Sequence, residues 1–110
     1  MQKEKIIMSI DGSLVSSGIA ILNGDNGEVI AYDNLPIKPK DFNGEEILKI
    51  HHIAKTIVEI AKAYNVTHVA IENSYVGANS RTGLTLARLY GAITSFLIEN
   101  GITLIYTYTP

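Results

Sequence analysis

The chain has 110 residues, 46% of them hydrophobic and 18% charged, a length and composition that predict one compact domain and exclude a disordered protein. Its 9 basic and 11 acidic residues give a formal net charge of -2. This balance excludes the uniformly basic surface typical of nucleic-acid-binding domains, so any DNA contact requires a local patch. The absence of cysteine excludes disulfide bonds and thiolate metal sites and fits a cytoplasmic protein. No apolar run approaches the roughly 18 residues of a membrane span, so we expect no membrane partner.

The first half of the chain predicts three strands and a helix. Short apolar segments typical of strands cover residues 5–10, 17–22 and 28–34. The second and third flank the loop Asn23–Gly27, whose residues accept turn conformations, so these two strands are expected to form a hairpin. Asn43 with Glu46 three residues later is a capping-box pattern and predicts the start of a helix that ends near Asn65.

The second half predicts a strand, a helix and a strand. These elements cover residues 67–71, 82–100 and 102–108. A strand-helix-strand connection of this length favours a right-handed crossover to a parallel neighbour, so the fourth strand is expected beside the first. No helix follows the last strand to cover the second face of its sheet, and we therefore expect residues 1–110 to be a single domain that is truncated or completed by another chain.

Two acidic residues directly follow strands that are expected to be parallel neighbours. Asp11 comes after the first strand and Glu72 after the fourth, which places both carboxyls about 5 Å apart at the carboxyl edge of one sheet. Carboxylate oxygens so placed are the ligands that Mg²⁺ or Mn²⁺ prefers. The alternative is that each acid only caps its strand at the solvent boundary.

Two blocks of sequence resemble one known family. The segment MSIDGSLVSSGIAIL at residues 8–22 resembles the opening of the RuvC-type Holliday-junction resolvases, and VAIENSYVGANSRTGLTLARLYGAI at residues 69–93 is similar to that family's fourth strand, catalytic Glu, following loop and helix. The ending TLIYTYTP is similar to its fifth strand. The turn Asp-Gly-Ser-Leu stands where many cellular members have Asp-Pro-Gly, which is more typical of phage or mobile-element relatives.

The resemblance implies an α/β fold of the RNase H-like type, with helices packed on a mixed five-stranded sheet of order 3-2-1-4-5. It also implies a homodimeric, structure-selective endonuclease that resolves four-way DNA junctions by Mg²⁺-dependent phosphodiester hydrolysis, with Mn²⁺ as a substitute. Asp11 would bridge two metal ions and Glu72 would hold one. The family supplies two further acids from a C-terminal helix, whereas this chain has only Glu99 after Glu72, so we expect half a catalytic cluster and a form that is inactive alone.

The loop and helix after Glu72 hold the candidate DNA contacts. By resemblance, Tyr75 would stack on an unpaired base, although it can equally pack on the sheet edge. Asn79, Ser80 and Arg81 stand near the predicted start of the second helix, where free N–H groups favour a phosphate. Arg88 follows seven residues later on a similar face, and these two arginines are the only ones in the chain.

Small residues recur every four positions on the second helix. Gly83, Ala87, Gly91 and Ser95 form this small-residue stripe, which permits close approach of another element. The stripe predicts either close packing on the helix's own sheet or a homodimer through this helix, as the resemblance implies.

Two other functions remain open from the sequence. The first is a non-catalytic, resolvase-like module for DNA binding or dimerisation, which the missing acids favour. The second is an ATP-binding lobe of the actin or sugar-kinase type, which also opens with a strand, an Asp and a Gly/Ser turn. Glu72 argues against that lobe, and 110 residues cannot hold the second lobe that completes its phosphate site.

Overall fold

A computed structural model describes residues 4–13, 16–36, 45–72 and 80–108. Its elements are β1 (Ile6–Asp11), β2 (Ser16–Asn23), β3 (Val29–Pro36), α1 (Glu46–Ala63), β4 (His68–Glu72), α2 (Ser80–Glu99) and β5 (Leu104–Tyr108). The strands form one five-stranded sheet in the order β3-β2-β1-β4-β5. β2 is antiparallel to both β1 and β3, while β4 is parallel to both β1 and β5. The predicted mixed sheet and its strand order are therefore confirmed.

Both helices pack on one face of the sheet, and this interface forms the core. Alternate residues of β1, such as Met8 and Ile10, are fully buried on that face, as are Val69 and Ile71 of the neighbouring β4. The helices contribute the buried residues Ile50, Ile53, Ala54, Ile57, Val58, Ala61, Leu89, Ile93 and Leu97. In the helices the aliphatic side chains recur every three or four residues, and in the strands they alternate, so each element has one apolar face. Burying these faces against each other supplies most of the driving force for folding.

The first helix starts differently from the capping-box prediction. Glu45 occupies the N-cap position, its side chain makes no capping hydrogen bond, and Glu46 is the first helical residue. The predicted cap, Asn43, lies outside the described residues. The predicted end is correct, because α1 stops at Ala63 and Asn65 adopts a left-handed conformation with φ of 57°.

The opposite face of the sheet is not covered by any element of the described chain. On β5 three large side chains are exposed, Leu104, Tyr106 and Tyr108. Tyr106 stacks its ring parallel to that of His68 on β4, with 6.3 Å between the ring centroids. No helix among the described residues is long and apolar enough to cross a bilayer.

Candidate metal centre

The two candidate carboxylates meet at the carboxyl edge of the sheet. β1 and β4 run parallel with Ile10 opposite Ile71, so the next residues, Asp11 and Glu72, end adjacent strands side by side. Their short apolar strands are held in register by the core, and this register brings the two side chains into hydrogen-bonding contact. The juxtaposition expected from topology is therefore present.

The pair has the electrostatics of a site that holds a proton or a cation. A side-chain hydrogen bond with Asp11 raises the pKa of Glu72 above its usual 4.5, and partial burial and the negative charge of Asp11 raise the same pKa further. Two adjacent carboxylates repel each other when both are ionised. A divalent cation coordinated by both groups removes this repulsion, so the donor set fits Mg²⁺ or Mn²⁺.

A glycine lets the second helix approach the end of β1. A Cβ built on Gly12 would lie 3.2 Å from Leu89 Cδ2 of α2. Only about 10 Å³ of free space remains where Gly12 and Glu72 meet the helix. The residue after Asp11 is thus packed directly against α2, and this contact limits movement of the strand end.

A shallow groove opens on the uncovered face beside Asp11. It has a volume of about 240 Å³ and is lined by Ser9, Asp11, Gly18, Ile19, Ala20, Tyr32, Asp33 and Asn34. Gly18 lies opposite both Asp11 and Asn34 in the sheet, and a Cβ on it would stand 3.5 Å from Asn34 Oδ1. The sequence prediction missed Asn34, because only the register of β3 against β2 shows that it faces the same side as Asp11.

Among the described residues, Asp11 and Glu72 are not joined by a third potential metal ligand. No group of three or more His, Asp or Glu side chains that could hold a metal ion occurs among them. Glu99 ends α2, ten residues beyond the Leu89 that contacts Gly12, which on an α-helix is roughly 15 Å further along. As expected from the sequence, Glu99 cannot supply the missing carboxylate.

The candidate DNA contacts are described only in part. Tyr75 and Asn79 lie outside the described residues, and for Ser80 and Arg81 only the backbone is described, in the first turn of α2. Arg88 is 56% exposed, but its Nη1 lies 3.5 Å from Glu46 Oε1 at the start of α1. The sequence prediction missed this ion pair, which turns the guanidinium toward α1 in the structure.

The small-residue stripe of α2 is partly open to solvent. Gly83 and Ala87 are half-buried, whereas Gly91 and Ser95 are exposed. A Cβ built on Gly91 would meet no atom of the described chain within 4 Å. Gly91 therefore does not serve close packing against the described part of the chain, and the homodimer contact through this position stays a prediction.

Comparison with known proteins identifies relatives along nearly the whole chain. The family model for "Crossover junction endodeoxyribonuclease RuvC" matches residues 7–110. The RuvC protein of Orientia tsutsugamushi (strain Boryong) is 32% identical over 92 residues, which cover 84% of this chain and 57% of that protein. The RuvC protein of Caldicellulosiruptor saccharolyticus is 27% identical over 107 residues, covering 94% of this chain and 62% of that protein.

A solved structure shares the fold. The T. thermophilus RuvC in complex with Holliday junction substrate superposes with a TM-score of 0.81 at 14% identity, covering 96% of this chain and 65% of that one. This likeness confirms the RNase H-like fold predicted from the sequence. The chain spans about three fifths of the length of the curated relatives, with 57% and 62% of the two proteins covered.

Proposed function

This chain belongs to the RuvC family of crossover junction endodeoxyribonucleases, and we propose that residues 1–110 are the nuclease domain of a structure-selective endonuclease acting on four-way DNA junctions. The observation that carries the proposal is the contact between the Asp11 and Glu72 carboxyls at the ends of two parallel strands. Each subunit of a homodimer in the cytoplasm would hydrolyse one phosphodiester.

The proposed cofactor is Mg²⁺, with Mn²⁺ as a substitute. Asp11 would bridge two ions and Glu72 would hold one of them. When bound, the ions supply a reactive nucleophile at neutral pH and stabilise the departing 3′ oxygen. Further acidic residues from a longer chain would complete the set, since no third side chain of the described residues joins this pair in a group that could hold a metal ion.

The proposed DNA contacts and dimer interface follow the sequence of α2 and the loop before it. Tyr75 would stack on a base at the crossover, while Asn79, Ser80 and Arg81 would hold a phosphate at the start of α2. Arg88 would join them by exchanging its exposed ion pair with Glu46 for a DNA phosphate, because such pairs contribute little stability. Gly83, Ala87 and Gly91 would form the contact between two α2 helices.

The test is nicking of a synthetic four-way junction in Mg²⁺ or Mn²⁺, against a linear duplex of equal length. The proteins are this chain, a longer natural form that contains it, and the longer form carrying Asp11→Asn or Glu72→Gln. We expect the longer form to nick the junction, and each substitution to reduce nicking by at least about 100-fold while junction binding is retained. Glu99→Gln is the matched control, because it removes an exposed carboxylate at the far end of α2.

The outcomes separate the competing functions. Loss of nicking in both active-site variants but not in Glu99→Gln supports the proposal. Equal cutting of junction and duplex, or full activity of Asp11→Asn, contradicts it.

A second candidate is a non-catalytic module that binds branched DNA or dimerises. The observation in its favour is the incomplete carboxylate set among the described residues. Binding of the junction without nicking by any form, in either metal, would favour this second function over the first.

A further inference from the structure

We propose that the Ser17 side chain is a positioning residue for the metal centre, holding the turn that follows Asp11 so that the Asp11 carboxylate stays in place beside Glu72. The proposal rests on the metal-binding role of Asp11 and Glu72 put forward above. It assigns a role to a residue that touches neither carboxylate.

Ser17 is the only polar or charged residue that is fully buried in the described chain. Its hydroxyl donates a hydrogen bond to the carbonyl oxygen of Ser13 at 2.8 Å and accepts one from the Ser13 backbone N–H at 2.9 Å. The Ser16 backbone N–H also donates to Ser13 Oγ, at 3.4 Å. The start of β2 therefore holds both backbone polar groups of Ser13.

These bonds act on the segment that sets the position of Asp11. Asp11 is the last residue of β1, and the chain leaves the sheet through Gly12 and Ser13. Gly12 is held from one side by Leu89, and Ser13 is held from the other by Ser17. The Ser17 hydroxyl thus adds two hydrogen bonds to the contacts that hold this exit, beside the packing of Gly12 on Leu89 and the bond from the Ser16 backbone N–H. Asp11 is paired with Gly18 in the sheet, so we expect the loss of these two bonds to loosen the turn after Asp11 and, through it, the position of the Asp11 carboxylate beside Glu72.

The same sheet contains a matched hydroxyl at the opposite end of β1. Thr67 Oγ1 accepts a hydrogen bond from the Ile6 backbone N–H at 3.0 Å and donates one to the Ile6 carbonyl oxygen at 3.1 Å. This pair of bonds has the geometry of the Ser17 pair but lies at the amino end of the strand, away from the carboxylates. Removing the Thr67 hydroxyl therefore shows what the loss of two such hydrogen bonds does to the protein when they lie far from Asp11 and Glu72.

The experiment measures Mn²⁺ affinity by water-proton relaxation, well below the unfolding temperature, and thermal stability separately. The proteins are this chain, Ser17→Ala, Thr67→Val and Asp11→Asn. We expect both hydroxyl deletions to lower Tm, because each removes two hydrogen bonds to backbone groups at one end of β1. Only Ser17→Ala is expected also to weaken Mn²⁺ binding, by about 10-fold, as removal of groups that orient metal ligands does.

The outcomes test the positioning role of Ser17 and the metal site of Asp11 and Glu72 separately. Unchanged Mn²⁺ affinity in Ser17→Ala, or an equal loss in Thr67→Val, overturns the positioning role. Equal Mn²⁺ affinity of the unmodified chain and Asp11→Asn instead overturns the metal site. Ser17→Cys, which has a weaker hydrogen-bonding group of similar size, serves if Ser17→Ala does not fold: intermediate affinity is expected, and unmodified affinity contradicts the proposal.

Discussion

At the scale of single residues, the candidate site is a pair of carboxyls, Asp11 and Glu72, which two adjacent strands hold close together although their negative charges repel each other. Glu72 has a raised pKa because it shares a hydrogen bond with Asp11, is partly buried and faces the charge of Asp11. The folded chain therefore binds a proton at this pair more tightly than the unfolded chain does. Stability from this source is present at acidic pH and falls as the pH rises through the raised pKa.

We predict that Asp11→Asn raises the Tm of the metal-free chain at pH 7 to 8, because the amide can donate to the Glu72 carboxylate and adds no charge. The difference from the unmodified chain should shrink as the pH falls through the raised pKa of Glu72 toward the usual 4.5, because Glu72 of the unmodified chain is then protonated. Added Mn²⁺ should reverse the order by stabilising only the unmodified chain. Calorimetry across this pH range tests the prediction, with the exposed turn variant Asp25→Asn as control. A pH-independent difference would contradict it.

At the scale of elements, the two sides of α2 differ in what they contact. Its inner side contributes Leu89, Ile93 and Leu97 to the core. Its outer side carries Arg88, tied to α1 through Glu46, and the open position of Gly91. A glycine in the middle of a helix costs about 0.5–1 kcal/mol relative to alanine. No contact within the described chain explains that cost, whereas the proposed contact between two copies of α2 would.

We predict that Gly91→Leu stabilises the isolated chain by up to about 1 kcal/mol, because it improves helix propensity without an internal clash. The same substitution should abolish dimerisation, because the leucine keeps the two helices apart. Sedimentation velocity and urea unfolding measure the two effects, and Lys55→Leu on the exposed surface of α1 is the control. Unchanged self-association in Gly91→Leu would show that dimerisation, if present, uses another surface.

At the scale of the whole molecule, the described part of the chain is a sheet whose core lies on one face. Met8, Ile10, Val69 and Ile71 are buried in one cluster with side chains of both helices, while Leu104, Tyr106 and Tyr108 of β5 stay exposed. The stability of this chain therefore depends on the single layer of aliphatic side chains between the sheet and the helices.

We predict that Leu97→Ala destabilises the chain by about 2–5 kcal/mol, because Leu97 is fully buried and its truncation leaves a cavity. The next residue provides the control: Ile98 is 55% exposed, and Ile98→Ala should change stability by less than about 1 kcal/mol. At this chain length each kcal/mol corresponds to a Tm change of about 4–8 °C. Similar Tm losses in both variants would mean that the one-sided core does not dominate stability.

Most of the fold was predictable because its signals are local or follow from chain topology. Strand alternation, helical spacing and the crossover rule predicted every element and placed β4 beside β1. The predicted helix start was wrong: the local pattern of Asn43 and Glu46 indicates Asn43 as the N-cap, whereas Glu45 is the N-cap residue in the structure. The residue at which a helix begins also depends on how its first turn packs, which the local pattern does not contain. The Arg88–Glu46 pair was missed because it joins residues 42 positions apart, whose contact depends on how two helices cross.

The sequence by itself determined the family, the order of the elements and the two acids that end neighbouring strands, since these depend on residue types at short spacings. Tertiary structure alone decided what surrounds those acids. The hydrogen bond between Asp11 and Glu72, the Ser17 contacts to Ser13 and the open position of Gly91 depend on the register of the strands and the depth of helix packing. Such distances are set by how the whole core closes, and a shift of one residue in any strand would change them all.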